Sequence, residues 1–286
     1  MQVGETGSVT GIDMTDELLA VSRAHIDAYT KQLGYKQPNL KFVSGYIEFL
    51  EKAGIAANSL DLIISNCVVN LSPNKEQVLR SAFNALKEGG EMHFSDVYSD
   101  RKIPDATRKH KVLYGECISG ALYINDFIHL CKKVGFEDPR VLIKTPITIG
   151  NPELQDLLGE TKFYSITMRL FKLKNLEMKC EDYGQVAIYK GTLPGNKHSY
   201  ILDDHHKFEA NKPALVCGNT ASMLGETWLK KHFTIIGDRN VHYGEFDCSN
   251  SKAVATASSS SSSSSDDCCA GDSACSAGGC SSGVCC

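Results

Sequence analysis

The chain has 286 residues, enough for one large domain and a smaller one, and its 42% apolar and 22% charged residues are ordinary for a globular protein in water. Thirty Lys and Arg against 34 Asp and Glu leave a net charge of −4 without a basic stripe. That balance argues against nucleic acid and an anionic membrane as partners and suits a neutral or cationic substrate. The apolar runs are strand-sized, too short to span a bilayer, and the opening Met1-Gln2-Val3-Gly4-Glu5 lacks the basic and apolar blocks of a signal peptide. A cytoplasmic, reducing setting is expected.

Strand-like runs alternate with helical ones over the first hundred residues. Val9–Asp13 is the first strand, and Thr15 a plausible N-cap with Asp16 and Glu17 in the first turn. Ser22, Ile26, Tyr29 and Leu33 recur at helical spacing until Gly34 stops the helix. Leu40–Ser44 and Leu60–Ser65 are the next strands. A second helix carries Val78, Leu79, Ala82, Phe83 and Leu86, Gly89-Gly90 ends it, and Met92–Asp96 is a fourth strand. Such alternation with short connections predicts an α/β fold with a doubly wound parallel sheet over residues 1–150.

Beyond residue 100 the pattern changes. Tyr123 to Val134 reads as a helix and Phe163 to Phe171 as a strand; from Cys180 to Phe246 short strands mix with a helix near Met223 to Lys231. This predicts a smaller α+β region over 151–250. Residues 251–286, with eight consecutive serines (Ser258 to Ser265) and then Cys and Gly among small residues, have little apolar bulk and are expected to be disordered.

In open α/β sheets ligands bind beyond the carboxyl ends of the strands. Asp13 ends the first strand, where a carboxylate can accept hydrogen bonds from ribose hydroxyls, although an aspartate there is as often a turn or capping residue. Gly45-Tyr46-Ile47-Glu48 follows the second strand, and could border an adenine ring or be an ordinary loop. Asn66-Cys67 follows the third, at the level of a reacting group. There are twelve cysteines. Thiols in a reducing setting are either small buried hydrophobes or ligands for a soft ion. Taken alone, Cys117 and Cys180 favour burial; Cys131, Cys217 and Cys248 read as structural or incidental. The six tail cysteines, Cys268 to Cys286, are as readily a passive appendage as a capture tract. His205-His206, among Asp203, Asp204 and Lys207, reads as a solvated loop.

Read together, Thr10-Gly11-Ile12-Asp13-Met14-Thr15, Gly45-Tyr46-Ile47-Glu48 and Ser65-Asn66-Cys67-Val68-Val69-Asn70-Leu71 resemble the arsenite methyltransferase pattern. So do the run Gly89-Gly90-Glu91-Met92-His93-Phe94-Ser95-Asp96-Val97-Tyr98, the run Gly115-Glu116-Cys117-Ile118-Ser119-Gly120-Ala121-Leu122-Tyr123, and Cys180-Glu181-Asp182-Tyr183-Gly184-Gln185-Val186-Ala187. The early motifs mark methyltransferases in general; those around Cys117 and Cys180 are far more particular. The resemblance runs from about Val3 to Tyr200. It implies a Rossmann-like fold and S-adenosyl-L-methionine as cofactor, lined by Asp13, Met14, Ile47, Glu48 and Asn66. It also implies Cys117 and Cys180 as catalytic thiolates that hold trivalent arsenic. Thiolates suit a soft centre, and neutral arsenite suits a surface without a basic patch. The implied partners are arsenite and methylated arsenicals, with small thiols or a thioredoxin-like reductant, and the chain is expected to act as a monomer.

The sequence departs from the pattern in two ways. The strand and Gly-rich loop with which the family opens are not in it, so the sheet is expected to lack its first strand, between those ending at Asp13 and Ser65. The upstream cysteines are not in it either, so a small thiol is expected to complete a three-thiol set; a partial sequence is the favoured reading. The alternatives are a non-catalytic thiol-rich protein that binds arsenic or soft metals, and a methyltransferase for another small molecule.

Overall fold

The computed structural model describes residues 3–248, apart from residues 109 and 116 and the side chains of 106 and 111; the serine run and the six tail cysteines lie outside the described residues. Strand β1 (Val9–Asp13) leads into α1 (Asp16–Ala24) and α2 (Ile26–Gln32), then β2 (Leu40–Ser44). The sequence predicts one helix where there are two. His25 interrupts it, its Nδ1 lying 2.8 Å from the Val21 carbonyl, so that the side chain competes for the helical ladder. Gly34, at φ +72°, ends α2 in the left-handed region as its position predicts.

Strand β3 (Leu60–Asn66) is followed by α3 (Lys75–Ala85) and the long β4 (Leu86–Ser99). Asn74 caps α3 by accepting the Gln77 amide hydrogen at 3.0 Å. The two short helices α4 (Asp105–Arg108) and α5 (Lys111–Gly115) carry the chain to β5 (Leu122–Tyr123), which pairs with the end of β4. Helix α6 (Ile124–Val134) stops at Gly135, φ +120°; then come β6 (Arg140–Ile147), α7 (Pro152–Leu158) and β7 (Phe163–Phe171). The α6 and β7 positions agree with those read from the sequence.

The main sheet has the order β3-β4-β7-β6, with β3 parallel to β4 and β7 antiparallel to both its neighbours. It thus continues past residue 150 to Phe171. Strands β1 and β2 form a separate parallel pair in the register Val9–Leu40 to Asp13–Ser44. Among the described residues no ladder joins β1 to β3, the break expected between the strands ending at Asp13 and Ser65. Side chains bridge it: Ile12 and Ile63 pack against Leu50, Ile55 and Ala85. Ile64, on β3, remains 74% exposed. The principal core lies between β4 and helices α3 and α6, where Leu79, Phe94, Phe127 and Met168 meet.

From Phe171 a second apolar cluster forms around Tyr189, Tyr200, Phe208 and Phe233. Its strands are β8 (Glu181–Asp182), β9 (Gln185–Tyr189), β10 (Ser199–Ile201), β11 (Lys207–Glu209), β12 (Pro213–Val216), β13 (Phe233–Ile236) and β14 (Gly244–Glu245). Strand β9 lies between β12 and β13, and the pairs β10–β11 and β8–β14 flank it, all antiparallel. Helix α8 spans Gly218–Gly225, earlier than the helix predicted near Met223 to Lys231. The side-chain cap at Cys217 starts it, and Thr227 begins a separate 3-10 turn, Trp228–His232.

The two clusters are tied by buried charge. Arg169 on β7 donates to Glu91 (2.7 and 3.1 Å), to the Tyr200 hydroxyl (2.7 Å) and to the Leu202 carbonyl (3.2 Å). Arg140 at the start of β6 donates to Asp138, Asp203 and Thr220. His206, predicted to sit in a solvated loop, is buried in this network with Nδ1 2.7 Å from Asp203; His205 is exposed as expected. Among the described residues no helix is long and apolar enough to cross a membrane.

Candidate functional site

The carboxyl ends of β1, β2 and β3 carry the residues singled out in the sequence. Asp13 is partly exposed. Its Oδ1 accepts the Thr15 amide hydrogen at 2.8 Å, which orients the carboxylate and leaves Oδ2 available to a ligand hydroxyl. Met14 is 68% exposed and Tyr46 lies open as well, an apolar surface of the kind a flat ligand would cover. Ile47 packs its side chain partly against the main core. Glu48 is buried and spoken for: its carboxylate accepts the Ser72 hydroxyl, and its carbonyl accepts Gln77 Nε2 at 3.1 Å. These bonds pin the end of β2 to α3. Asn66 is exposed at the end of β3.

Cys67 and Cys117 meet beside that strand end. Both have left-handed backbone, φ +53° and +60°, a conformation that a side chain disfavours and that the surrounding contacts must hold. The Cys67 amide donates to the Ser95 carbonyl (2.9 Å), and the Cys117 thiol donates to the Cys67 carbonyl (3.4 Å). Cys117 is buried in a third apolar cluster with Val97, Ile103 and Ile118, against which Cys67 packs.

Two residues beyond those predicted hold this loop. Buried Asp96, at the end of β4, accepts the amide hydrogens of Asn70 (3.0 Å) and Val97 (2.8 Å); burial pushes its carboxyl upward. Asn70 in turn donates to the Val97 carbonyl at 2.6 Å. Gly120 rides so close that a Cβ there would lie 2.1 Å from the Asn70 carbonyl oxygen. The sequence contained the signal, a glycine and an asparagine within motifs, but not their mutual approach.

Cys180 lies elsewhere, with two cysteines read as structural or incidental. The sulfurs of Cys180, Cys217 and Cys248 all lie within 4.8 Å of one another, and Cys117 is not among them. Cys131 is fully buried in α6, where burial pushes its thiol up, in keeping with a structural role. In the trio the proton leaves Cys217 first. Hydrogen bonds from Cys180 and Cys248 hold its thiol far below the usual range, against the effect of burial, with Arg140 and Thr220 assisting. Cys180 is correspondingly raised to about 11 by its bond to Cys217.

An open parallel sheet with an antiparallel β7 and an acid at the end of β1 defines a Rossmann-like methyltransferase, and residues 1–157 match the family model described as a methyltransferase domain. The chain is 51% identical over 245 residues to the arsenite methyltransferase of Aquipseudomonas alcaligenes, covering 86% of this chain and 70% of that protein. It is 40% identical over 241 residues to the human arsenite methyltransferase, covering 83% of this chain and 63% of the human one. The crystal structure of the arsenic(III) S-adenosylmethionine methyltransferase of Chlamydomonas reinhardtii superimposes with a TM-score of 0.83 at 60% identity, covering 86% of this chain and 82% of that one. The chain belongs to the arsenite methyltransferase family. It spans about three fifths of the length of the mammalian relatives it matches.

The residues present suit S-adenosylmethionine on the adenosine side. An oriented carboxylate at Asp13 and the open apolar surface of Met14 and Tyr46 stand at one strand end, the complement of a ribose diol and a flat base.

Proposed function

We propose that this chain methylates trivalent arsenic, with S-adenosylmethionine as donor and Cys117 and Cys67, which meet at the end of β3, as the thiolates that hold the substrate. Cys180 stands at the Arg140 end of β6, away from the Ile147 end beside which Cys117 packs. The observation that carries the reading is the Cys117 thiol, set against the Cys67 carbonyl at the carboxyl end of β3, where α/β sheets bind their ligands. Asp13 would hold the ribose, Met14 and Ile47 the faces of the base, and Asn66 the edge of the pocket; Glu48 acts by fixing the β2 end through Ser72.

When bound, S-adenosylmethionine supplies an electrophilic sulfonium methyl. Arsenic on thiolates keeps a lone pair, so the chain has no proton to remove and no general base to provide. Its task is placement: the arsenic must be fixed beside the methyl group, an effect worth on the order of 7–11 kcal/mol in well-oriented systems. Burial of Cys117 and the rigid Asp96–Asn70 loop serve that purpose.

The sheet region does both jobs, binding the donor and holding the two thiols, and the region after β7 is fastened to it through Arg169. Drawing their boundary after Phe171 rather than at residue 150 keeps β7 with its sheet. A small-thiol or thioredoxin-like reductant would renew the thiols, and the chain would act as a cytoplasmic monomer. The test is arsenite methylation by the purified chain and by its Cys67→Ser and Cys117→Ser variants, with S-adenosylmethionine binding followed by calorimetry. Activity lost in both variants while the cofactor still binds supports the reading. Undiminished methylation in either variant sinks that cysteine's role, and arsenite binding without cofactor binding would make sequestration the better description.

A further inference from the structure

We infer that Cys180, Cys217 and Cys248 form a three-sulfur capture site for trivalent arsenic, distinct from the position of Cys117. The inference rests on the proposed function for the identity of the ion, and on geometry alone for the site.

Three structural elements assemble it. Cys180 immediately precedes β8, and Cys248 follows β14. Pairing of these strands, together with the Phe246 amide donating to the Cys180 carbonyl at 2.7 Å, brings the two ends side by side. Cys217 arrives from beneath, at the end of β12 and the N-cap of α8, fully buried. Its sulfur accepts the Thr220 amide hydrogen at 3.4 Å and lies 3.2 Å from Thr220 Oγ1. That oxygen already accepts from Arg140 Nη2 at 3.2 Å, so the hydroxyl proton can turn toward the sulfur. A thiolate at Cys217 is thus met by two donors and a helix N-terminus.

The all-sulfur set suits a soft, thiophilic ion. Among the described residues, no carboxylate or imidazole joins the three sulfurs within the 4.8 Å grouping. Three thiolates complete the coordination of trivalent arsenic, which keeps its lone pair. A cavity of about 510 Å³ opens onto the site. Its lining includes Cys180 and Cys248 with Asp138, Asn219 and Asp247, a polar approach for a small neutral hydroxide. Capture balances without a redox step. Three As–O bonds break and three As–S bonds form, and each hydroxide departs as water with one thiol proton, solvent supplying any proton a cysteine has already lost.

The trio stands at the Arg140 end of β6, whereas Cys117 packs with Ile147 at the other end, so capture occupies a place of its own, apart from transfer.

The experiment uses the full chain with the six tail cysteines, Cys268, Cys269, Cys275, Cys280, Cys285 and Cys286, changed to serine so that they cannot compete. One equivalent of arsenite is added without cofactor, and arsenic X-ray absorption counts the sulfur neighbours while a titration gives the affinity. Three sulfurs are expected, and three again in the Cys117→Ser variant. The Cys217→Ser and Cys248→Ser variants should drop to two, with affinity weakened about tenfold or more. Cys248 lies in a partly exposed segment, so its variant keeps the test open if loss of buried Cys217 prevents folding. Cys117→Ser should abolish turnover and leave capture intact. Three sulfurs and unchanged affinity in the Cys248 variant, or loss of a sulfur in the Cys117 variant, overturns the capture site. Persistent methylation by the Cys117 variant sinks the functional reading instead.

Discussion

Arg169 holds the catalytic sheet to the second apolar cluster, and its removal can be given a magnitude. Replacing Arg169 by Met leaves three groups behind: the Glu91 carboxylate, which had taken two of its hydrogen bonds, the Tyr200 hydroxyl and the Leu202 carbonyl. Arg169 and Glu91 side chains are each only 4% exposed, so water cannot replace the lost partner. Breaking a buried pair from one side costs about 3–5 kcal/mol. At about 2–4 °C per kcal/mol for a domain of this size, the thermal midpoint should fall by roughly 6–20 °C. Circular dichroism melts of the chain and of the Arg169→Met variant measure this. Glu91→Leu combined with Arg169→Met removes the stranded carboxylate as well, and should be more stable than Arg169→Met alone. A drop below about 3 °C, the scale of a solvated surface pair, would refute the reasoning, and so would a double variant no better than the single one.

Three further outcomes are expected. Gly120→Ala should destabilise the chain by about 1–3 kcal/mol and lower arsenite methylation disproportionately, because the new methyl would collide with the Asn70 carbonyl and displace the Cys117 loop; melts and kinetics on one preparation check both. Asp13→Ala should raise the KM for S-adenosylmethionine while leaving arsenite affinity unchanged, as calorimetry with each ligand would read. Although burial opposes it, His206 and Arg140 hold the Asp203 carboxyl far below the usual carboxylate range. Its contribution to stability is therefore complete above the unfolded value near 3.9 and is lost as pH falls below it, so the melting midpoint should hold from neutral pH to about pH 5 and decline as the pH drops further, less steeply in the Asp203→Asn variant.

Much of the sheet was legible because periodicity reports burial. The runs ending at Asp13, Ser44, Ser65 and Phe171 are strands, the third extended by one residue to Asn66, and α6 lies where Tyr123 to Val134 repeats at helical spacing. The break in the first helix was not legible, since it depends on His25 turning back to Val21 rather than on any breaker residue. Asp13 and Cys117 stood out through their flanking residues. Cys217 and Cys248 did not, for no close-spaced cysteine pair advertises them. Strand pairing and the cap of α8 bring them to Cys180, and such long-range coincidence leaves no local trace. His206 misled for the opposite reason: its polar neighbours look solvated in sequence, but Asp203 among them pairs with Arg140 from a distant strand.

The break between the two sheets has a consequence for the cofactor pocket. Among the described residues no backbone ladder joins β1 to β3, and the contacts across that seam are those of Ile12, Leu50 and Ile63, with the Glu48–Ser72 latch beside them. Ladders admit only whole-residue registers, whereas packed side chains adjust by single methyl groups. Among these residues, substitutions in the seam would therefore move Asp13 against Asn66 in small steps while every strand kept its register.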